Sequence, residues 1–166
     1  MAEERRIVEL GVGDVDLVEG LWKEMVAHHR DVIGRAAPVR EPDAAWRIRR
    51  AQYVAWMEAG DGFLFLVPGE GALEVPLGYA FLRIGDAPAT LDLGERVGDL
   101  ESLSVTAAAR GMGIGTMLIA HCRERLRERG VRWWTVTAVA GNDGAVALYE
   151  REGFRLNSHN LLAAIE

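Results

Sequence analysis

A short glycine-rich loop, Arg110-Gly111-Met112-Gly113-Ile114-Gly115-Thr116, separates a predicted strand from a predicted amphipathic helix. Glycine has no Cβ, so a ligand can approach its backbone closely and the chain can adopt a positive φ. The first turn of a helix leaves amide N–H groups without partners, and the helix dipole adds positive charge there. The loop therefore predicts a binding site for an anion such as a pyrophosphate.

Two common phosphate-binding glycine motifs do not fit this loop. A P-loop requires a lysine directly after its last glycine, yet Lys23 is the only lysine of the chain. The dinucleotide-binding pattern G-x-G-x-x-G also fails, because Thr116 or Leu118 stands where the third glycine belongs. What remains is R-x-x-G-x-G after a strand, whose plain structural interpretation is a helix start with a tight turn.

A second pattern, N-x-x-A-x-x-L-Y-x-x-x-G-F, lies downstream over residues 142–154. Its apolar positions share one helix face, Asn142 is a good N-cap, and Gly153 stands where a glycine ends a helix. Capping explains Asn142 and Gly153, and packing explains the apolar positions. Neither explains why a tyrosine completes the apolar face at position 149, because a buried tyrosine hydroxyl needs a hydrogen-bond partner.

In this order the two patterns resemble the GNAT superfamily of N-acetyltransferases, over residues 96–157. The resemblance implies an α/β fold in which helices flank a mixed β-sheet that is splayed near its centre, within one domain of residues 1–166. It also implies acetyl-CoA as cosubstrate, with no metal. The implied reaction is acetyl transfer to a primary amine, such as that of a small molecule, by direct attack in a ternary complex.

The resemblance assigns roles to individual residues. Tyr149 would lie at the sulfur and protonate the leaving thiolate, and Asn142 would reach the pantetheine arm. The backbone of residues 103–105 would pair with the pantetheine amides as an added strand, and the amides of residues 111–116 would cradle the pyrophosphate. The expected cofactor-binding residues are Leu103, Ser104, Val105, Arg110, Gly111, Met112, Gly113, Ile114, Gly115, Thr116, Asn142 and Tyr149.

Acetyl transfer to an amine requires a proton acceptor, because an amine of the lysine type has a pKa near ~10.4. Glu101, on the strand that enters the glycine loop, is by resemblance the candidate base, acting through water. The alternative is that Glu101 is a solvated strand residue. His28 and His29 are the next candidates, since histidine titrates near neutral pH. They are adjacent on a predicted helix and cannot easily share a metal.

Hydrophobic periodicity and Gly/Pro breaks predict the elements that position these residues. Strands are expected at 7–10, 63–67, 75–84, 97–105, 131–140, 154–156 and 161–165. Helices are expected from a cap at Asp14 through Val26, then over 46–57, 113–129 and 143–152. Cys122 is expected in the core, and the arginines of residues 123–132 on a solvated face.

Composition excludes several classes of protein. The net charge of −6 argues against a nucleic-acid binder, and one cysteine excludes an internal disulfide framework. Apolar runs are too short to span a membrane and no secretory signal is recognised, so a cytoplasmic protein is expected. The sequence leaves open the acceptor, a homodimer, protein lysine or N-terminal acetylation, and a non-catalytic acyl-CoA-binding module, which would not need Tyr149.

Overall fold

The computed structural model describes residues 5–70 and 72–165. Its elements are β1 (Val8–Leu10), a 3-10 helix (Val12–Val18), α1 (Glu19–Ile33), α2 (Pro42–Glu58), β2 (Gly62–Gly69), β3 (Ala72–Asp86), β4 (Arg96–Val105), a second 3-10 helix (Ala107–Ala109), α3 (Ile114–Glu128), β5 (Trp134–Val136) and α4 (Asp143–Arg151). The strands form one sheet in the order β1-β2-β3-β4-β5. The β4–β5 pair is parallel and the other pairs are antiparallel, so the sheet is mixed, and the predicted fold class is confirmed.

Helices cover both faces of this sheet because the central strands are apolar on both sides. On β3, Ala80 and Leu82 face a core formed with α3, whereas Tyr79 and Phe81 face a second core formed with α1 and α2. Cys122 is fully buried in the first core, as predicted. Among the described residues, no helix is long and apolar enough to cross a membrane.

The sheet opens between β4 and β5. The two strands pair only at Gly98↔Trp134, Asp99↔Thr135 and Leu100↔Val136. Beyond Leu100, β4 continues to Val105 and pairs with β3 alone. Of the strand predicted over residues 131–140, only Trp134–Val136 forms a strand, because neither residues 131–133 nor residues 137–140 pair with β4 in the sheet.

A β-bulge interrupts β4 at the point where the sheet opens. Phe81 pairs with Ser102 and Leu82 pairs with Leu100, so Glu101 has no residue opposite it on β3. The extra residue reverses the alternation of side chains along β4. Leu100 packs in the α3 core, whereas Ser102 contacts α2 on the opposite face.

Two predictions at the C-terminus are wrong. Residues 154–156 and 161–165, expected as closing strands, form no strand. Their large apolar side chains are mostly exposed, with Leu161 91% and Ile165 96% accessible. A run of apolar residues satisfies the composition of a strand, but a strand exists only where a neighbouring backbone pairs with it.

The predicted cap at Asp14 is also wrong. Residues Val12–Val18 form a 3-10 helix that follows Gly11, and Asp14 lies in its first turn without a side-chain capping bond. α1 begins only at Glu19. The apolar residues whose spacing suggested one helix are divided between the 3-10 helix and α1. Val15 and Val18 of the 3-10 helix are buried, as are Leu21 and Trp22 of α1.

Candidate active site

The glycine loop turns the start of α3 into a row of free amides. Gly111 and Gly113 have φ angles of 76° and 78°, values at which side chains other than glycine's are strained. Gly113 is the N-cap of α3 and no side chain caps the helix. The first helical bond in this turn runs from the Met117 N–H to the Gly113 carbonyl, at 3.0 Å. The amides of residues 114–116 are therefore left for a ligand.

The second sequence pattern lies directly against this loop. A Cβ built on Gly115 would come within 3.4 Å of Leu148 Cδ2, so glycine permits the close approach of α3 and α4. Leu148 and Tyr149 also pack against the α3 core. Gly111 and Gly113 face open space, because a Cβ added at either position would meet no heavy atom of the described residues within 4 Å. The loop is thus both bare and accessible.

An arginine that sequence reasoning missed joins the loop from the other end of the chain. Arg5 Nη1 donates to the Met112 carbonyl oxygen at 3.2 Å, and Arg5 Nη2 lies 3.6 Å from Met112 Sδ. This guanidinium adds positive charge beside the free amides of α3. Arg5 lies 107 positions from its partner and belongs to no motif, so the sequence carries no signal for it.

The outer edge of β4 is open beside the loop. Leu103 pairs with Ala80, Ser104 with Tyr79 and Val105 with Gly78, all on the β3 side. The Ser104 hydroxyl donates to the Leu21 carbonyl of α1 at 3.3 Å, which ties β4 to the helical layer. The opposite backbone edge of residues 103–105 faces the opening toward β5 and can accept an added strand.

Tyr149 occupies a largely buried position on α4. Its ring centroid lies 5.8 Å from that of Phe154, which in turn packs 4.7 Å from Trp134 of β5. Burial raises the pKa of Tyr149 to about 12. The hydroxyl is therefore protonated at neutral pH. It forms no hydrogen bond with another described residue, so its proton is available to a ligand.

Asn142 is the N-cap of α4. Its Oδ1 accepts a hydrogen bond from the Ala145 N–H at 3.3 Å, as a helix cap does. The preceding Gly141 lies close to α1, since a Cβ there would meet Val32 Cγ1 at 3.2 Å. The cap occupies the side-chain oxygen and leaves the amide NH₂ as the group for a cofactor contact, which stays a prediction.

Glu101 lies at the bulge in an ion pair with Arg49 of α2. Arg49 Nη1 donates to Glu101 Oε1, and the two side chains are 27% and 16% exposed. Burial raises the pKa of Glu101, the Arg49 charge opposes that rise, and the neighbouring Asp99 carboxylate adds to it. A carboxylate with a raised pKa is a stronger base than a solvated one, which suits a proton acceptor. The predicted alternative, a solvated strand residue, does not describe this position.

Aromatic rings surround the ion pair on the α2 side. The Arg49 guanidinium lies 5.8 Å from the ring centroids of both Tyr53 and Trp56, and that of Arg83 lies 4.6 Å from Trp56. None of these residues belongs to a recognisable motif. Arg49 is 52 positions from Glu101, so their contact arises only from the packing of α2 against the sheet.

The two adjacent histidines, His28 and His29, lie on α1, whereas Arg49 lies on α2 and Glu101 on β4. Burial, and then the charge of His28, lower the pKa of His29. Among the described residues, neither imidazole is a hydrogen-bond partner of Glu101 or Arg49.

The arginines of α3 are engaged by carboxylates. Arg123 pairs with Glu152 at 3.6 Å, Arg125 with Glu9 at 2.6 Å and Arg127 with Glu124 at 3.0 Å. The predicted solvated face describes Arg127, whose side chain is 67% exposed, but not Arg125, which is 18% exposed and lies over the rings of Phe63 and Phe65. The pair between Arg125 and Glu9 also links α3 to β1. The hydrogen bond from Arg125 is the main cause that lowers the pKa of Glu9.

Comparison with known proteins places the chain in a family. The sequence profile described as the Acetyltransferase (GNAT) family matches residues 26–154. A mycothiol acetyltransferase of Thermobifida fusca is 28% identical over 109 residues, which are 66% of this chain and 33% of that protein. A GCN5-related N-acetyltransferase from Ralstonia eutropha superposes with a TM-score of 0.78 at 20% identity, covering 96% of this chain and 98% of the other.

One of the similar structures was solved with a bound ligand. A predicted acetyltransferase from Clostridium acetobutylicum, solved with acetyl-CoA, has a TM-score of 0.72 at 15% identity and covers 96% of each chain. The chain belongs to the GNAT acetyltransferase family. It spans about a third of the length of the curated relatives that it matches.

Proposed function

We propose that the protein is an acetyl-CoA-dependent N-acetyltransferase that acetylates a primary amine of a small molecule. One observation carries this proposal: the free amides of α3 lie beside Leu103 on the open edge of β4, and Glu101 lies on the same strand where β4 and β5 separate. An anion site, an edge for an extended amide chain and a proton acceptor are the groups that such a reaction needs.

The residues present fit acetyl-CoA. The amides of residues 114–116, with the Arg5 charge beside them, would hold the pyrophosphate, because unpaired helix amides bind anions. The free edge of residues 103–105 would pair with the pantetheine amides. When bound, acetyl-CoA supplies an activated acetyl group as a thioester.

Two side chains would handle the protons. Glu101 would accept, through water, the proton that the attacking amine loses as its nitrogen forms a bond to the acetyl carbon. Tyr149, which is protonated at neutral pH, would donate its proton to the sulfur as the carbon–sulfur bond breaks. Direct transfer fits this arrangement, because Cys122 is fully buried and its burial raises the pKa of the thiol to about 12. That thiol is a poor nucleophile.

The acceptor is proposed only as a class. Relatives bear the name mycothiol acetyltransferase, and that supports transfer to an amine acceptor without identifying the one used here. A cytoplasmic location is likewise part of the proposal and rests on the sequence.

A panel of amines tests this function. We expect acetyl-CoA and at least one small primary amine to release free thiol in a reaction that saturates with both. The control is Glu101→Gln, which should retain acetyl-CoA binding and lose most turnover. Acetyl-CoA binding without thiol release from any small amine, but with acetylation of peptide lysines or N-termini, would contradict the small-molecule acceptor. Binding without any transfer would indicate a non-catalytic module.

A further inference from the structure

Arg49 lies on the face of α2 that packs against the sheet. Arg49, Tyr53 and Trp56 follow one another at i, i+4 and i+7, so their side chains project from the same side of the helix. Tyr53 is fully buried and stacks on Phe81, with ring centroids 3.8 Å apart and planes 4° from parallel. Its hydroxyl bonds to Ser102 of β4. This contact fixes α2 one turn away from Arg49.

The neighbouring rings hold the guanidinium of Arg49. It lies 5.8 Å from the ring centroids of Tyr53 and Trp56, within the range of cation–π attraction. About a quarter of its side chain is accessible. A planar group confined in this way loses less conformational entropy when it bonds to a carboxylate than a free side chain would.

Glu101 has few other partners at the bulge. Asp99, on the same strand, is a second carboxylate, and its Oδ1 accepts a hydrogen bond from Thr135 at 3.2 Å. On β3, Arg83 is directed to Trp56. On α2, Tyr53 faces the cluster as a neutral hydroxyl, because burial raises its pKa to about 12. Among the residues that the structure describes, Arg49 is therefore the cation that hydrogen-bonds Glu101.

We propose that Arg49 is a positioning residue for Glu101: it orients the carboxylate at the β4 bulge and keeps it ionised, ready to accept a proton. This inference rests on the proposed role of Glu101 as the base. Burial and Asp99 both favour the protonated carboxyl, and Arg49 opposes them. The same positive charge disfavours an ammonium ion close by and so favours the neutral amine.

Direct titration tests this inference without any acceptor. In protein labelled with ¹³C at glutamate carboxyls, Glu101→Gln identifies the Glu101 signal. In Arg49→Gln we expect its titration midpoint to rise by about one pH unit or more, since an opposite charge at this range has effects of that order. Arg47→Gln is the matched control, because Arg47 lies on the exposed face of the same helix. It should leave the midpoint unchanged.

The pH dependence of turnover separates positioning from a structural role. In Arg49→Gln, the acidic limb of the kcat profile should move to higher pH together with the titration midpoint, while the KM for acetyl-CoA stays the same. Arg49→Lys keeps the charge without the planar group and should restore most of the wild-type profile. If glutamine prevents folding, Arg49→Met is the test variant, because it also removes the charge and should raise the midpoint in the same way.

An unchanged Glu101 midpoint in folded Arg49→Gln, or in the lysine variant a midpoint far above that of the wild type, would overturn the inference. So would an equal loss of kcat at every pH. Failure of the proposed function looks different, because no amine would then be acetylated even though the titration of Glu101 could still be measured.

Discussion

The loop side of the molecule, formed by the glycine loop with α3 and α4, and the helical side, formed by α1 and α2, contribute to the site in different ways. The loop side presents backbone: amides at the start of α3 and an open edge of β4. The helical side presents side chains, among them Arg49 paired with Glu101 and the rings of Tyr53 and Trp56.

This difference determines what each side can specify. A site made of backbone groups suits a ligand whose bound groups are always the same, such as a pyrophosphate and amides. It requires only glycines and the start of a helix close together in the sequence. A side-chain site can be changed residue by residue without altering the fold. The helical side is therefore where we expect the acceptor to be selected.

Tyr149→Phe tests whether the loop side also contributes chemistry, and it has the largest expected effect on turnover. A positioned acid contributes about 10²–10⁴-fold, so kcat should fall by at least the low end of that range. The KM for acetyl-CoA should change little, because the hydroxyl is needed mainly as the thiolate forms. Steady-state kinetics measure both constants. A near-normal kcat with a raised KM would make Tyr149 a binding residue only.

Glu101→Gln tests whether the base lies at the junction of the two sides. The carboxylate is the active form, so wild-type turnover should fall as the pH drops through the raised pKa of Glu101. The glutamine variant should be slower by about 10²-fold at neutral pH and should recover in part at high pH, where more amine is already neutral. The measurement is a pH profile of kcat. If the variant followed the wild-type profile at full rate, His28 and His29 would be the next bases to test.

Arg5→Ala tests a side-chain contribution on the loop side, and its effect should be the smallest. Arg5 is exposed and bonds to Met112, so the affinity for acetyl-CoA should weaken by about two- to five-fold, the scale of an exposed charge interaction. The loss should shrink as salt is added. Arg6→Ala is the matched control, since Arg6 is also exposed. Equal losses for both variants would indicate a general charge effect rather than a contact at the loop.

The sequence predicts the loop side well and the helical side poorly, for a physical reason. Glycines with positive φ, the N-cap at Asn142 and the apolar face of α4 are local features, and the patterns that contain them are short. The Arg49–Glu101 pair joins residues 52 positions apart, and the Arg5 contact joins residues 107 apart. Such contacts depend on how whole elements pack, which no local pattern records.

The bulge and the closing strands illustrate the same limit. The residues around Glu101 contain no pattern that predicts a bulge. The bulge exists because Ser102 and Leu100 pair with the consecutive residues Phe81 and Leu82 of β3, which leaves Glu101 unpaired. The two expected C-terminal strands have the right composition, yet they form no strand. Composition predicts whether a segment tends to form a strand, but the strand forms only where another strand pairs with it.

The central claim, that the glycine loop binds acetyl-CoA, is tested most directly by calorimetric titration of acetyl-CoA into the wild type, Gly113→Glu and Gly60→Glu. Both glycines have a φ of 78° and open space around them, so each substitution places a side chain at a positive φ without a clash. Only the first puts a carboxylate at the start of α3. We predict binding to the wild type and to Gly60→Glu, and none to folded Gly113→Glu. Undiminished binding to folded Gly113→Glu would contradict the account.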